Sequence, residues 1–259
     1  MLTIKPIHTE LSGAMLVRVY QNRAQLGAAA GLEAAGAIRA LLASKAQVRI
    51  IFAAAPSQNE FLAELAAAKD LDWSRITAFH MDEYTGLAAD SPQSFGAFLR
   101  KALFNKVRPG TVHYLNPAAG AEAECRRYGR LLAEAPIDIV CLGIGENGHL
   151  AFNDPPVADF ADPLPVKLVD LDDICRRQQV NDGCFDSLEE VPQQALTLTI
   201  PVLLSAQWLF CMVPGVSKRG AVTRTLHESV STACPSTILR GHGDCRMFVD
   251  TDSFGEVFS

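Results

Sequence analysis

Short apolar runs alternate with longer amphipathic segments along the whole chain. Two segments with helical periodicity, residues 22–44 and 58–69, flank the first clear apolar run. Strands that alternate with helices are typical of parallel sheets with crossover connections. The pattern predicts an α/β fold: a doubly wound, mostly parallel sheet with helices on both faces, that is, a Rossmann-like three-layer sandwich. The predicted strands are residues 48–54, 76–79, 112–115, 137–142, 166–171, 195–199, 208–213 and 246–249.

The length and composition favour one domain. A chain of 259 residues with 49% hydrophobic content can bury a single large core. Neither an internal repeat nor a low-complexity tract divides it. Residues 153–164 are rich in proline and have little periodicity, which is typical of an ordered loop that covers a site. We therefore expect a single domain spanning residues 1–259, with a lid loop at about residues 153–183.

Charge and cysteine usage exclude some classes of partner. The net charge is -6, without the basic stripe that nucleic-acid binding requires, although a few local cations could still hold an anion. The longest apolar stretch, residues 200–213, is too short to cross a bilayer. Seven cysteines are scattered without a Cys-x-x-Cys pair, which favours reduced, mostly buried thiols over a reactive or metal-binding cysteine. We expect a soluble cytoplasmic protein that binds neither nucleic acid nor membrane.

The first candidate for chemistry follows the predicted strand 137–142. A Gly-Ile-Gly turn ends at Gly145, where the missing side chain permits a tight turn and close approach of a ligand. Asn147, His149 and Asp154 come next, within eight residues. They supply an amide, an imidazole and a carboxylate that could orient it, which together suit acid–base chemistry. A structural histidine in a turn is the alternative.

The second candidate is the run His-Met-Asp-Glu-Tyr at residues 80–84, directly after a predicted strand. Active sites of open α/β sheets lie at the carboxyl ends of strands. A carboxylate at Asp82 could move a proton between neighbouring carbons of a sugar, which is aldose–ketose isomerase chemistry and needs neither metal nor cofactor. The alternative is that the two acids only cap the next turn.

Two strand–helix junctions could hold an anion. At the first, Ser57 and Gln58 open a helix, and Ser57 with Glu60 matches the spacing of a capping box. At the second, Lys218 follows a Pro-Gly turn as a point charge suited to phosphate. Helix capping and solvation could also explain each junction.

Four of these segments carry a family resemblance. They are Met-Asp-Glu-Tyr at residues 81–84, Gly-His-Leu-Ala-Phe-Asn at 148–153, Ser-Lys at 217–218 followed by Ala-Val at 221–222, and Pro-Ser-Thr-Ile-Leu at 235–239. In order and spacing the chain resembles, over nearly its whole length, the glucosamine-6-phosphate deaminase (isomerase) family, whose sheet is shared with 6-phosphogluconolactonases.

The resemblance implies roles for individual residues. Asp82 would move the proton from C2 to C1 of the sugar, and His149 would open the ring with support from Asn147 and Asp154. Lys218 would bind the phosphate. The expected substrate is an amino-sugar phosphate, glucosamine 6-phosphate or a close isomer, converted to a fructose 6-phosphate-type ketose and ammonia. The implied enzyme is a deaminase/isomerase-like hydrolase without cofactor or metal, and assembly into a homo-oligomer is left open.

The chain departs from the family pattern in three places. Asp154 stands where the family has glutamate, and residues 54–58 replace a Thr-Gly-Ser-Thr-Pro loop, with fewer hydrogen-bond donors for phosphate. Residues 174–183 form a longer segment than the family's, in which Arg176 or Arg177 would replace its phosphate-binding arginine. Of the basic and hydroxyl residues that bind an allosteric activator in regulated members, only Lys167 is a plausible remnant. Allosteric activation is not predicted.

Two other functions fit parts of the pattern. A 6-phosphogluconolactonase would use a similar histidine to hydrolyse a lactone, but these enzymes favour Asp-Glu-Arg where this chain has Asp-Glu-Tyr at residues 82–84. A non-catalytic sugar-phosphate sensor is consistent with the altered loop at residues 54–58. However, no DNA-binding helix pair precedes the sheet, and the pairing of Asp82 with His149 favours retained chemistry.

Overall fold

The computed structural model describes residues 4–88 and 90–255. The strands in these ranges are β1 (His8–Ser12), β2 (Met15–Tyr20), β3 (Val48–Phe52), β4 (Ile76–His80), β5 (Asp82–Tyr84), β6 (Thr111–His113), β7 (Ile139–Leu142), β8 (Val166–Asp170), β9 (Gln194–Leu198), β10 (Trp208–Val213) and β11 (Cys245–Asp250). The helices are α1 (Arg23–Ser44), α2 (Asn59–Ala67), α3 (Phe95–Leu99), α4 (Asn105–Val107), α5 (Ala121–Ala133), α6 (Asp173–Asn181), α7 (Ile200–Leu204), α8 (Arg219–His227) and α9 (Thr251–Phe254). A π-helical segment, Arg100–Phe104, joins α3 to α4.

An eight-stranded sheet forms the centre, in the order β1-β2-β11-β10-β7-β3-β4-β6. All neighbours in it are parallel except β1 and β2. On one side of β7 the chain adds β3, β4 and β6 in sequence order, and on the other side it adds β10 and then β11. The sheet is therefore doubly wound, as predicted. Six of the eight predicted strands are β3, β4, β6, β7, β10 and β11 of this sheet.

The other two predicted strands belong elsewhere. Residues 166–171 and 195–199 correspond to β8 and β9 of a separate three-stranded sheet, in which β9 pairs antiparallel with both β8 and β5. Along β8, buried and exposed positions mix, whereas central parallel strands are buried on both faces. The hairpin of β1 and β2 was not among the predicted strands, although β1 alternates between more and less exposed positions.

Helices cover both faces of the central sheet. Along β3, Ile50 and Phe52 belong to one apolar cluster and Ile51 to the other, because successive side chains of a strand point to opposite faces. α1 and α2 pack on the first face, through Ile38 and Phe61 among others. α5 and α8 contribute to the second cluster. The result is the predicted three-layer arrangement.

α1 is held closely against α2. Asn22 caps its first turn by accepting a hydrogen bond from the Gln25 amide at 3.0 Å. A Cβ atom on Gly27 would lie 2.3 Å from the Cβ of Glu60, so glycine permits the close helix contact. By length and composition alone α1 could cross a membrane, yet 56% of its most apolar window is buried. This packing is that of a core helix.

The segment expected to be a lid loop contains regular structure. Residues 153–183 comprise an irregular stretch, β8 and α6. α6 begins at an Asp172 cap and places Gln178 and Gln179 against the cavity at the carboxyl ends of the central strands. That the chain forms one domain with a movable lid stays a prediction.

Candidate active site

A small cavity lies where β3, β4, β7 and β10 end. Its volume is about 60 Å³. Six residues predicted from the sequence line it: Ser57, Gln58, Asp82, Gly145, His149 and Lys218. Because the carboxyl ends of parallel strands meet at one edge of a sheet, segments up to about 160 residues apart in the chain converge here.

His149 and Asp154 form a buried pair on the turn after β7. His149 Nδ1 lies 2.7 Å from Asp154 Oδ1. Asn147 supports both partners: its Nδ2 donates to Asp154 Oδ1 at 2.8 Å, and its Oδ1 accepts from the His149 backbone N–H at 3.0 Å. An ionised carboxylate can only accept hydrogen bonds, so Nδ1 carries a proton and donates to Asp154. Nε2 is then the ring nitrogen that can exchange a proton with a ligand.

The charge of Asp154 is maintained by its neighbours. Burial alone would raise the pKa of this carboxyl, but the charge and hydrogen bond of His149, the hydrogen bond of Asn147 and the nearby Cys175 thiol together lower the pKa below its ordinary value. Asp154 is 1% exposed. The buried carboxylate therefore stays ionised at neutral pH and orients the imidazole.

Gly145 has a different role from the predicted one. A Cβ atom at this position would lie 2.3–2.4 Å from three atoms of the His149 ring. Its backbone N–H donates to the His149 carbonyl at 3.0 Å, so this amide is not available to a phosphate. Glycine is required here because the imidazole packs flat against the backbone.

Two further features of the turn were not predicted. Ala151 has a φ of 50°, a left-handed conformation that is uncommon for alanine and typical of functional turns. The Gly148 carbonyl accepts from the Ser236 amide at 2.8 Å, and a Cβ on Gly148 would lie 2.5 Å from Cys234 Sγ. The segment after α8 thus packs against the turn and holds it. In the sequence, this segment carried only the family motif at residues 235–239, from which no contact was predicted.

Asp82 and Glu83 have separate environments. Glu83 accepts hydrogen bonds from the amides of Tyr84, Phe95 and Gly96, so the capping role applies to this residue. Asp82 faces the cavity, and neither of its oxygens accepts a hydrogen bond from a residue of the described ranges. Burial, followed by the charge of Glu83, raises the pKa of Asp82 well above its ordinary value. A carboxyl group with a raised pKa is suited to accept and return a proton near neutrality.

Lys218 is an almost completely buried cation at the opposite junction. It is 4% exposed and begins the first turn of α8. In the part of the chain that the structure describes, its ammonium group makes no hydrogen bond or ion pair. Burial lowers its pKa, while the charges of Asp182 and Glu146 act in the opposite direction. An unpaired buried cation beside a cavity favours an anionic ligand.

The loop after β3 faces this lysine across the cavity. Ser57 and Gln58 lie in a short 3-10 helix, Pro56–Gln58. The Gln58 amide donates to the Met212 carbonyl at 3.3 Å and ties the two junctions together. The predicted capping box is wrong: α2 has no side-chain cap, and Glu60 instead forms a bidentate pair with Arg23. The first-turn amides of α2 therefore lack a side-chain acceptor.

The two arginines predicted to bind phosphate lie away from the cavity. Arg176 donates to the carbonyls of Leu188 and Val191 at 2.7 and 3.1 Å, and Arg177 is exposed. Their positions on α6 direct Arg176 toward residues 188–191 and Arg177 toward solvent, since the face of this helix that meets the cavity carries Gln178 and Gln179. The residues that α6 adds to the cavity wall are Gln178, Gln179 and Asp182. Spacing alone did not show which side of α6 faces the site.

One group of side chains near the cavity has the donor types of a metal site. The ligand atoms of His149, Asp154 and Cys175 all lie within 4.8 Å of one another. Two ligands of one tetrahedral Zn²⁺, each about 2.0 Å from the ion, would lie roughly 3.3 Å apart. The 2.7 Å between His149 Nδ1 and Asp154 Oδ1 is shorter than that and matches a hydrogen bond. The geometry favours a hydrogen-bonded pair at this position.

Comparison with solved structures places the fold among sugar-phosphate enzymes. A monomeric glucosamine-6-phosphate deaminase superposes with a TM-score of 0.84 at 28% identity, covering 92% of this chain and 98% of that structure. A 6-phosphogluconolactonase from Thermotoga maritima has a TM-score of 0.74 at 21% identity, covering 91% and 99% of the two chains. The second likeness supports the fold alone.

Comparison of sequences is more specific. Glucosamine-6-phosphate deaminase of Listeria innocua is 35% identical over 208 residues, or 80% of this chain and 87% of the relative. The enzyme of the same name from Streptococcus pneumoniae is 35% identical over 199 residues, covering 76% and 82%. Residues 21–159, from the start of α1 to beyond Asp154, match the model of the glucosamine-6-phosphate isomerases/6-phosphogluconolactonase family. The chain therefore belongs to this family.

Proposed function

We propose that the protein is an enzyme that isomerises and deaminates an amino-sugar phosphate, glucosamine 6-phosphate or a close isomer. One observation carries the proposal: a carboxyl group with a raised pKa, a histidine–carboxylate pair and an unpaired buried lysine line one cavity. These groups match the needs of the reaction, which are two proton-transfer groups and a cation for the phosphate. The names of the deaminases of similar sequence support the same assignment.

The first step is ring opening by His149. In the neutral imidazole Nδ1 donates to Asp154, so Nε2 can accept the proton of the anomeric hydroxyl. The resulting imidazolium is stabilised by the Asp154 carboxylate and can return the proton to the ring oxygen. The C1–O bond to the ring breaks, and the open-chain aldehyde forms.

The second step is proton transfer by Asp82. Its carboxylate removes the proton from C2, which is acidic because the C1 aldehyde takes up the negative charge on O1. O1 then receives a proton from the ammonium group on C2 of the substrate, which gives the enolamine. The protonated carboxyl group then returns the proton to C1, giving an imine at C2. Water adds to this imine and ammonia leaves, which yields the ketose. The hydrolase class assigned from the sequence applies only to this last step, and the isomerase and lactonase names in the family support an enzyme in the broader sense.

The phosphate would bind between the two junctions. Lys218 supplies the charge on one side, and Ser57, in the 3-10 helix before α2, lines the cavity on the other. Ser57 Oγ can add a hydroxyl donor. Binding an anion would relieve the cost of the unpaired ammonium.

α6 is the element that would act as the lid. The cavity of about 60 Å³ is far smaller than the ~300–1,000 Å³ of typical ligand pockets. α6 closes one wall through Gln178 and Gln179, and an outward movement of this helix would widen the cavity for a hexose phosphate. We retain the cytoplasmic location and the possible homo-oligomer as predictions.

The test is a substrate panel followed for both ammonia and ketose. It contains glucosamine 6-phosphate, galactosamine 6-phosphate, unphosphorylated glucosamine and 6-phosphogluconolactone. Ammonia and ketose in equal amounts from one of the two amino-sugar phosphates, without added metal, support the proposal. Hydrolysis of the lactone alone would favour the lactonase, and binding without turnover would favour a sensor; either result overturns the proposal.

A further inference from the structure

One of the seven cysteines lies next to the candidate acid–base pair. Cys175 lies on α6 and is 0% exposed. Its sulfur is within 4.8 Å of the ligand atoms of both Asp154 and His149. These two residues belong to the turn after β7, whereas Cys175 comes from the helix that closes the cavity.

Asp154 has one oxygen that its own turn leaves unsatisfied. Oδ1 accepts from His149 and from Asn147. Oδ2 is buried and accepts no well-formed hydrogen bond from the described residues. A buried carboxylate oxygen without a donor is costly, so a donor close to Oδ2 would stabilise the ionised form.

The thiol of Cys175 is the group in position to supply it. Burial, followed by the charge of Asp154, raises the pKa of Cys175 well above its ordinary value. The sulfur therefore keeps its proton at neutral pH and can act as an S–H donor. Asp82 on β5 and Asp172 at the start of α6 are the other charged groups that act on this thiol, and both favour the protonated form.

We propose that Cys175 is a positioning residue, whose S–H donates to Asp154 Oδ2 and holds the carboxylate ionised and aligned with His149. α6 also contacts this turn through Gln178, whose Oε1 accepts a hydrogen bond from the Glu146 amide at 2.8 Å. Cys175 and Gln178 are three residues apart and share one face of the helix. The acid–base pair is thus completed when α6 closes over the cavity. This inference rests on the proposed function for its kinetic test.

The kinetic test compares Cys175→Ala, Cys175→Ser and Cys211→Ala with the full-length enzyme. Cys211 is a buried thiol of β10 outside the cavity lining, so it controls for the loss of a sulfur atom from the core. We expect Cys175→Ala to lower kcat about tenfold, the effect of losing one hydrogen bond to a charged group, with KM unchanged. The acidic limb of the pH profile should move to higher pH, since a carboxylate without this donor binds a proton more readily. Cys175→Ser should restore both.

A second measurement needs no substrate. In protein labelled with ¹⁵N-histidine, the signals of His149 are assigned by their absence in His149→Gln. The Nδ1–H resonance, which reports the hydrogen bond to Asp154, is compared between variants at one pH. We expect Cys175→Ala to shift this resonance, and Cys175→Ser and Cys211→Ala to leave it in place. An unmoved resonance in Cys175→Ala overturns the inference, as does a kinetic loss that serine fails to rescue. If wild-type protein releases no ammonia while the resonance still shifts, the proposed function fails and the positioning role stands.

Discussion

The replacement Gly145→Ala tests whether the packing of His149 on the backbone is essential. The added Cβ would lie 2.3 Å from the nearest ring atom, and ordinary contacts begin at 3.4 Å. The His149 ring must therefore move away by about 1 Å. The backbone of Gly145 cannot move instead, because its amide is held by a hydrogen bond to the His149 carbonyl. Such a shift lengthens the 2.7 Å bond to Asp154 beyond the limit of a hydrogen bond.

Misplacement of a reacting group by about 1 Å costs roughly 100-fold in rate. We expect kcat with the best amino-sugar phosphate to fall by about that factor, and the free energy of unfolding to fall by about 1–3 kcal/mol through overpacking. Steady-state kinetics and urea unfolding measure the two effects. Gly220→Ala is the matched control: it makes the same change in α8, where nothing lies within 4 Å, and it should leave kcat unchanged.

Near wild-type kcat in Gly145→Ala would refute this reasoning. It would mean that the imidazole can leave its place beside Asp154 without consequence, and that His149 is a structural histidine in a turn. A loss of kcat as large in Gly220→Ala would be equally damaging, because it would show that the assay reports general destabilisation.

Three further predictions follow from the cavity. Asp82→Asn should reduce turnover by about 10²–10⁴-fold, the usual contribution of a general base. The Tm of this variant should exceed that of wild type by an amount that grows as the pH rises. The pKa of Asp82 is raised in the folded protein, so the unfolded chain ionises first, and wild type loses stability once the pH exceeds the ordinary carboxyl pKa. Lys218→Met should raise KM for the phosphorylated substrate about 10-fold or more yet raise Tm in phosphate-free buffer, because it removes an unpaired buried charge; an unchanged KM would exclude Lys218 from the phosphate site. Arg177→Ala should leave KM unchanged in the same assay, since this side chain is exposed on the outer face of α6; a raised KM would show that α6 turns when substrate binds.

Local sequence patterns predicted the structure correctly where a single strand or turn determines it. Five apolar runs of the central sheet, β3, β4, β7, β10 and β11, became strands because residues buried on both faces must be apolar. Asn147, His149 and Asp154 were found together because they lie within one turn, where spacing in the chain limits distance in space. Asp82 was found because a polar residue directly after a buried strand lies at the edge where such sites form.

The sequence patterns did not show which helices and strands contact one another. Residues 166–171 and 195–199 have the composition of strands, but pairing with β5 in a second sheet depends on how the chain returns over the cavity. The periodicity of α6 does not show which face meets the cavity, and so Arg176 and Arg177, which lie away from the cavity, were chosen in place of Gln178 and Gln179. In the same way, Gly145 looked like a contact for ligand until the His149 ring was found packed on it.

The sequence by itself determined the fold class, the family and the two proton-transfer groups, because these depend on the burial pattern along the chain and on short motifs. Only the tertiary structure decided what surrounds those groups. It separated Asp82 from the capping Glu83, left Lys218 buried without a partner, and brought Cys175 to Asp154. Each of these depends on contacts between segments far apart in the chain, and such contacts are set by the packing of the whole molecule.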